Sequence, residues 1–482
     1  MTASAAHGQL DVAPAARHAG PRSVTRPSIV LAALCAVFWG LRIYYWSHNV
    51  EAPFSDMADY VDVADNIIRS FTFGLPNYPT YLTPVTPSLI AISKLISPAH
   101  FHSVFQFATQ LMVFVGMLAL AHEIRLLTGH TFLALALVGI VAMCRPSIFW
   151  SFKVATEPVC EGLLYISSAL ILATLRTQRL ALSLVAGACC LLLGLNRPNY
   201  LPGISLVLVA LLVRPRAVGL PDADRNGRPR RRRLFGLAFG VRRLALPAVF
   251  LCGVIAMWSP WILRNYVNYG VFLPVASSGH LALVWEQGAA PIRTGRYDRL
   301  KLADGSEFSN FGIINVIETW KKLPTSVERS RFLQMLASAW FAENWRDIPR
   351  AMVWRLRQIL SNRSADGLTK LSREQLFPPR GAGAQSPYLD VAWINVLLLD
   401  KTPTVCLLSL VGLLFLLVRF PATGLAFTGL LVVPWFGAAA FIANSRYVES
   451  LVAFDIWLAL FAVSSFVGDR LGKPIRPMVL TG

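Results

Sequence analysis

The chain has 482 residues, of which 55% are apolar and 15% are charged, and Lys and Arg outnumber Asp and Glu by 45 to 26. The length alone would suggest about three soluble domains. Apolar runs of about 17 to 25 residues recur along the sequence, however, and each is long enough to cross a hydrocarbon core as a helix. We therefore predict a polytopic membrane protein, in which most of the formal charge of +19 reports topology and not nucleic-acid binding.

Several common classes of site find no support in the sequence. The seven cysteines lie in or beside apolar runs, and none has the CxxC spacing of a metal knuckle. A disulfide framework and a structural zinc site are therefore not expected. The sequence also lacks a Walker or GxGxxG phosphate loop, so a cytoplasmic nucleotide site is not predicted.

The apolar runs predict about ten transmembrane helices and hence an all-α polytopic fold. The predicted spans are residues 28–46, 103–125, 131–148, 156–175, 180–196, 198–213, 244–263, 403–419, 422–442 and 447–467. The first span follows a polar tail and is interpreted as a retained signal anchor. Arg42 lies near the outer end of this span and is expected to snorkel toward the membrane surface.

The placement of Lys and Arg predicts the orientation of these helices. If the N-terminus is cytoplasmic, the inner side carries twenty of these residues and the short outer segments carry six. Both termini are then cytoplasmic, and composition and topology indicate a bacterial plasma membrane. The basic cluster from Arg228 to Arg233 is interpreted as a topology and anionic-lipid determinant, with no nucleic-acid partner.

This topology divides the chain into four parts. They are a cytoplasmic tail (1–27), an N-terminal transmembrane module (28–263), an extracytoplasmic segment (264–402), and C-terminal helices with a cytoplasmic tail (403–482). The N-terminal module contains a first outer loop (47–102) and a basic cytoplasmic loop (214–243). Chemistry is expected on the outer side, and segment 264–402 is predicted to be mainly helical, with helices packed over the membrane.

The first outer loop begins with five acidic residues and no base before Arg69. Ser55 is a good N-cap, so a helix is predicted to begin near Asp56. One face of this juxtamembrane helix is predicted to carry Asp56, Asp59, Tyr60 and Val63, and an apolar face to carry Val61, Ala64 and Ile68. On spacing alone, the acids form a solvated face whose first-turn carboxylates favour the helix dipole.

The loop also carries a motif that resembles a known family. The first span is followed by Ser55-Asp56-Met57-Ala58-Asp59-Tyr60, then by Ala64, Gly74, Pro84 and Pro87. This order resembles the GT-C glycosyltransferases, in particular the bacterial protein O-mannosyltransferase and lipid A aminoarabinose-transferase superfamily. Those enzymes open their first outer loop with an Asp-Glu motif. Asp56 matches the Asp, whereas Met57 replaces the Glu and leaves any role of a second acid in doubt.

Four further motifs resemble the same family, in the same order along the chain. They are Thr156-Glu157-Pro158, the glycine-rich run ending in Gly194-Leu195-Asn196-Arg197-Pro198, Ser259-Pro260-Trp261-Ile262-Leu263-Arg264-Asn265-Tyr266, and Ser445-Arg446-Tyr447. The third is the most distinctive, because it resembles a Pro-Trp-x-x-Arg-Asn-Tyr signature. All of them fall on the predicted outer side.

The resemblance implies a GT-C enzyme that transfers a sugar from a polyprenyl-phosphate donor to an extracytoplasmic acceptor with inversion. The acceptor is a glycolipid, lipopolysaccharide, cell-wall glycan or protein, and the sugar is open. Asp56 is the expected general base and Glu157 a second catalytic candidate. Arg264, Arg446 and Arg197 are the expected ligands of the donor phosphate, because guanidinium groups bind phosphate oxygens bidentately.

Several assignments have an alternative. Glu157 and Arg197 are equally well explained as a structural ion pair or interfacial anchors, and Lys153 is placed to pair with Glu157 at helical spacing. The remaining pocket candidates are Asp59, Tyr60, Lys153 and His280. A divalent metal is the one cofactor considered, near Glu51, Asp56 or His280.

Two other functions stay open at this point. The first is a transporter or lipid flippase, which inverted repeats and helices interrupted near mid-membrane would favour. The second is a non-catalytic assembly partner that keeps the fold, which the departure at Met57 keeps in consideration.

Overall fold

The structure, a computed structural model, describes residues 26–48, 56–74, 82–213, 241–269, 318–320, 322–346, 402–441 and 449–470, with the short pieces 272, 274–275, 299–301, 307–309, 348–349, 352–353, 356 and 399. These residues form mainly α-helices, and the prediction of an all-α polytopic membrane fold is confirmed. The helices before the second outer segment are α1 (Arg26–His48), α2 (Asp56–Ser70), α3 (Val85–Ile96), α4 (Phe101–Thr128), α5 (Thr131–Met143), α6 (Arg145–Ser151), α7 (Thr156–Thr177), α8 (Leu180–Asn196), α9 (Gly203–Leu212) and α10 (Val241–Tyr269).

The remaining helices lie in the second half of the chain. They are α11 (Ser326–Asn344), α12 (Pro403–Arg419), α13 (Pro421–Phe427), α14 (Val433–Phe441) and α15 (Val452–Arg470). A π-helical turn, Thr428–Val432, joins α13 to α14 in one continuous span. Segment 264–402 also contains a short antiparallel hairpin, β1 (Arg299–Lys301) with β2 (Glu307–Ser309), so this segment is not purely helical.

Six spans in the described part of the chain are long and apolar enough to cross a membrane: α1, α4, α7, α10, α13 with α14, and α15. Five shorter apolar helices accompany them: α3, α5, α8, α9 and α12. Every predicted span corresponds to one of these helices, and the bounds 180–196 and 403–419 agree to the residue. The number of helices that cross the membrane stays a prediction.

One predicted span is interrupted. Residues 131–148 were expected to form a single helix, but α5 ends at Met143 and α6 starts at Arg145. Leu399 fills the break, since its amide donates to the Met143 carbonyl (2.9 Å) and its carbonyl accepts from the Arg145 amide (2.8 Å). Backbone groups that leave a helix in a membrane protein need such partners, so this bridge explains how the break is tolerated.

Helix α2 starts at Asp56, as the N-cap prediction required, but its buried face differs from the predicted one. Met57, Val63 and Ala64 are buried, whereas Ile68 is exposed. The assignment of Val63 to the polar face and of Ile68 to the apolar face was therefore wrong. Met57 packs against Trp150 and Ala155, which places the start of α2 over the turn between α6 and α7.

The helix bundle is held together by close backbone contacts at glycines. A methyl group on Gly187 of α8 would collide with the Phe250 carbonyl of α10, and one on Gly253 would collide with the Leu184 carbonyl of α8. Small residues at such crossings let helix backbones approach and pack in lipid, where the hydrophobic effect does not drive association. The crossing packs the first half of α8 against α10, and the C-terminal end of α8 leads directly into Arg197.

This crossing yields the first prediction. Gly187→Ala should lower the free energy of unfolding by about 1–3 kcal/mol, because the added methyl forces α8 and α10 apart. Gly40→Ala in α1 is the matched control, since nothing lies within 4 Å of a Cβ placed there. Thermal unfolding of the purified proteins in detergent measures both. Equal midpoints for Gly187→Ala, Gly40→Ala and wild type would contradict the packing argument.

Candidate functional site

Polar and charged side chains are buried together at the end of the bundle where α7 begins. We call Lys153, Thr156, Glu157, Asn196 and Arg197 the polar cluster. Each of them is at most 6% exposed. Charged residues at such positions in a membrane protein mark functional sites by default, because burying them costs free energy. The polar cluster is therefore the candidate functional site.

An ion pair between Glu157 and Arg197 forms the centre of the polar cluster. Glu157 lies in the first turn of α7, and Arg197 follows the last residue of α8 in extended conformation. The Arg197 Nη2 donates to Glu157 Oε1 at 2.5 Å and to Thr156 Oγ1 at 3.2 Å. The side chains are 1% and 4% exposed. Two sequence candidates are thus brought together, in the structural pairing that the sequence left open.

Asn196 anchors this pair to three elements. Its side-chain amide donates to the Thr156 carbonyl (3.0 Å), and its Oδ1 accepts from the Thr86 hydroxyl of α3 (2.7 Å). Its backbone carbonyl accepts from Thr83 (3.3 Å). Because every one of these groups is buried, the loss of a partner would leave an unsatisfied polar atom. The bonds therefore hold the start of α7 and the end of α8 in register.

Lys153 lies in the turn between α6 and α7 and is buried against aromatic rings. Its Nζ is 5.2 Å from the centroid of Phe149 and 5.0 Å from that of Phe152. Burial lowers the pKa of Lys153 from 10.5 to about 7, because desolvation disfavours the charged ammonium. The lysine is therefore about half protonated near neutral pH and would gain charge if an anion bound beside it.

A second set of buried bonds joins residues next to the polar cluster to the start of the last helix. Trp150 Nε1 donates to Glu449 Oε2 at 2.5 Å, and the Tyr200 hydroxyl lies 3.1 Å from the Ser450 hydroxyl. Glu449 and Ser450 immediately precede α15. Sequence reasoning did not single out Glu449, although an acidic residue at the start of an apolar run is a signal that it could have used.

The acidic helix lies beside the polar cluster, but its first side chain is not described. The backbone of Asp56 begins α2, and the next residue, Met57, contacts Trp150 and Ala155 of the turn that contains Lys153. Asp59 and Tyr60 are half-buried, and Tyr60 packs against the main core. Met57 therefore packs into the bundle.

Arg264 lies near the end of α10 and contacts the loop that follows α2. Its Nη2 donates to the Phe73 carbonyl at 2.8 Å, and its Nη1 donates to Asn265 Oδ1 at 2.7 Å. The guanidinium carbon is 5.0 Å from the centroid of Trp261. Arg264 thus connects α10 to the first loop, and its role toward a donor phosphate stays a prediction.

Two sequence candidates, Arg446 and His280, lie outside the described residues. Glu51, one of the residues considered for a divalent metal, lies outside them too. Among the side chains that the structure does describe, no three His, Cys, Asp or Glu residues are grouped closely enough to hold a metal ion. Metal dependence therefore stays untested at those positions.

The structure also contains a buried charged group that the sequence analysis misplaced. Arg42 is fully buried inside the bundle, so the expectation that it snorkels was wrong. Glu161 is also buried, one helical turn beyond Glu157 on α7, and it interacts electrostatically with Arg42. An acid and a base inside two predicted spans were signals for such a pairing.

No protein-family model matches the chain, and no curated protein matches it. Among solved structures, the chain is similar to the oligosaccharyltransferase AglB of Archaeoglobus fulgidus in complex with an inhibitory peptide and a dolichol-phosphate. The two chains are 14% identical with a TM-score of 0.46, and the match covers 92% of this chain and 50% of the other. The oligosaccharyltransferase of that organism tethered to an acceptor peptide is similar at 13% identity and a TM-score of 0.47, over the same shares. The chain spans about half the length of these solved chains.

The buried ion pair yields the second prediction. Glu157→Gln and Arg197→Gln should each lower the free energy of unfolding by about 3–5 kcal/mol, because each leaves one buried charge uncompensated. The double variant should lose less than the sum of the two, since it buries no charge at this position. Chemical denaturation in detergent measures all three, with Asp62→Asn on the exposed face of α2 as control. Additive losses in the double variant would contradict the pairing.

Proposed function

We propose that the protein is a GT-C type membrane glycosyltransferase that moves a sugar from a polyprenyl-phosphate donor to an extracytoplasmic acceptor with inversion. The observation that carries the proposal is the burial of Lys153, Glu157 and Arg197 together beside the start of α2. The motifs around Asp56, Glu157, Arg197 and Arg264 support it independently.

Cations buried at a membrane surface suit a lipid-linked phosphate. The polyprenyl tail of such a donor lies in the bilayer, and its phosphate lies at the interface, where a lysine or arginine is within reach. The phosphate gains charge as its bond to the sugar breaks, so fixed cations stabilise the transition state more than the ground state. Lys153 and Arg197 fill this role, assisted by Arg264 and Arg446.

Asp56 is the proposed general base. The acceptor hydroxyl attacks the anomeric carbon while the bond from that carbon to the phosphate oxygen breaks, and the bonding electron pair leaves with the polyprenyl phosphate. The acceptor proton passes to the Asp56 carboxylate. The helix start at Asp56 and the contact of Met57 with the α6–α7 turn support its location beside the polar cluster.

Glu157 acts mainly through Arg197 in this proposal. Its carboxylate pairs with the guanidinium at 2.5 Å, which fixes the orientation of Arg197. The Glu157 carboxylate is already engaged by the Arg197 guanidinium and is buried, so it is less accessible to the acceptor hydroxyl. Asp56 is therefore the preferred base, and Glu157 is the alternative to be tested beside it.

The third prediction concerns the base. Asp56→Asn should reduce transfer by about a hundredfold or more, because the amide cannot accept the acceptor proton. The assay incubates purified protein in lipid with radiolabelled polyprenyl-phosphate sugars and a membrane acceptor extract. Asp62→Asn, on the exposed face of the same helix, should transfer at the wild-type rate.

Other outcomes of this assay select other functions. Undiminished transfer by folded Asp56→Asn would remove Asp56 from the chemistry and make Glu157→Gln the next variant. Absence of transfer with every donor would overturn the enzyme proposal in favour of a transporter or flippase. The interrupted helix α5–α6 is a feature that such proteins also use. Movement of labelled lipid across the bilayer would then be measured in the same vesicles.

The fourth prediction concerns pH. Because the pKa of Lys153 is lowered to about 7, its positive charge is present below pH 7 and lost above it. The value of kcat/KM should therefore fall by about tenfold per pH unit on the alkaline side, since it reports the free enzyme. Lys153→Arg keeps its charge and should lack this fall. Lys153→Met should have a low kcat/KM at every pH. The same alkaline fall in Lys153→Arg would exclude Lys153 as its cause.

A further inference from the structure

Arg42 ties four helices together from the centre of the bundle. Its Nε donates to Gln110 Oε1 of α4 at 2.6 Å, and its Nη2 donates to Ser147 Oγ of α6 at 2.7 Å. The guanidinium also reaches the carbonyls of Phe38 in α1 (3.3 Å) and Val141 in α5 (3.4 Å). It lies 3.6 Å from the centroid of the Phe38 ring.

Glu161 of α7 supplies the opposite charge. The buried carboxylate interacts electrostatically with Arg42 and Ser147, and it accepts a hydrogen bond from the Tyr165 hydroxyl. The bond from the Tyr165 hydroxyl to Glu161 Oε1 is 2.8 Å long. Ser147 therefore lies beside both charges, because its hydroxyl accepts from Arg42 and it interacts with Glu161.

Helix α6, which carries Ser147, leads directly into the turn with Lys153. The ring of Phe152, beside Lys153, stacks on Tyr45 of α1 with centroids 6.2 Å apart. The Phe152 carbonyl accepts from Gln106 of α4 at 2.7 Å, and the Trp46 Nε1 donates to the Ser151 carbonyl at 3.0 Å. The burial of Lys153 thus depends on how α6 is seated against α1 and α4.

We propose that Arg42, Ser147 and Glu161 form a positioning network that seats α6 between α1 and α7 and thereby holds Lys153 and Glu157 in place at the site. Its consequence for sugar transfer rests on the proposed function. The network itself is independent of that function, since it is a statement about which contacts fix the α6–α7 turn. None of its three members belongs to the polar cluster.

The free-energy cost of burying Arg42 and Glu161 argues for a positioning role. Buried ion pairs often contribute less to stability than apolar residues of similar volume, because desolvation of both charges offsets their attraction. A chain that needed only stability would be served by apolar side chains at positions 42 and 161. Charged groups have directional bonds, however, and those of Arg42 reach α1, α4, α5 and α6 at once. That geometry specifies one arrangement of α6.

The fifth prediction tests the network through Lys153, with no need for a substrate. The reactivity of the Lys153 amine toward acetic anhydride is followed across pH by mass spectrometry, which gives its pKa directly. Wild type should show a value of about 7. Ser147→Ala keeps both charges but removes the hydroxyl that accepts from Arg42, so α6 should loosen, Lys153 should reach water, and the pKa of Lys153 should rise by about one unit or more. Glu161→Gln should act in the same direction.

Other charged groups near the turn remain unchanged in these variants. They are Arg145 on α6, Glu157 on α7, Arg197 after α8, and Glu449 before α15. A rise in the pKa of Lys153 in Ser147→Ala therefore reports a change in burial. The matched control is Arg176→Gln. It breaks a bidentate pair with Glu123 (2.7 and 2.8 Å) near the C-terminal ends of α4 and α7, at the end of α7 away from Lys153. That variant should lose stability and leave Lys153 unchanged.

The outcomes separate this inference from the proposed function. An unchanged Lys153 pKa in folded Ser147→Ala and Glu161→Gln would overturn the network, and so would an equal rise in Arg176→Gln. If either variant fails to fold, the other decides. A selective rise in a protein that transfers no sugar would support the network and refute the enzyme. In an active protein, the alkaline fall of kcat/KM should move upward with the same pKa.

Discussion

The neutralisation of buried charge constrains this fold more than any other interaction. The interior of a bundle in lipid offers no water, so each buried charge needs a partner of opposite sign. Helix α7 carries two buried acids, Glu157, which pairs with Arg197, and Glu161, which interacts electrostatically with Arg42; its half-buried Arg176 pairs with Glu123. It is also the most buried of the six long spans. Helices α1, α4 and α8 are thereby held in register with α7.

The positions of these pairs explain why chemistry belongs at one end of α7. The pair of Glu123 and Arg176 lies at the C-terminal end of α7, where the guanidinium donates two hydrogen bonds to the two carboxylate oxygens. At the other end the short helix α6 brings in Trp150 and Lys153, and the acidic helix α2 packs over them through Met57. Among the described residues, buried charge, aromatic side chains and the acidic helix α2 therefore come together only at the N-terminal end of α7. The glycine crossing packs α8, the helix that leads into Arg197, closely against α10.

The sequence predicted what local pattern controls and missed what distant contacts decide. Spans 180–196 and 403–419 were located to the residue because continuous apolar runs end there at polar residues, and Ser55 correctly marked the start of α2. The break at Cys144 was missed although Arg145 and Pro146 follow it, because the backbone bridge that stabilises the break comes from Leu399, 255 residues away. Arg42 was misplaced for the same reason, since its partners lie on other helices. Within the polar cluster, the pairing of Glu157 with Arg197 depends on a contact across 40 residues.

The two cations of the polar cluster differ in a way that suits a site which must be stable when empty. Arg197 is permanently charged, and Glu157 neutralises it, so this pair carries no net charge. Lys153 avoids an unpaired buried charge in a different way, because its lowered pKa lets it become neutral by releasing a proton near pH 7. An anionic phosphate beside it would stabilise the ammonium and draw the proton back. On the proposed reaction, donor binding and protonation of Lys153 are therefore linked, and the charge that stabilises the leaving phosphate is present only when the phosphate is.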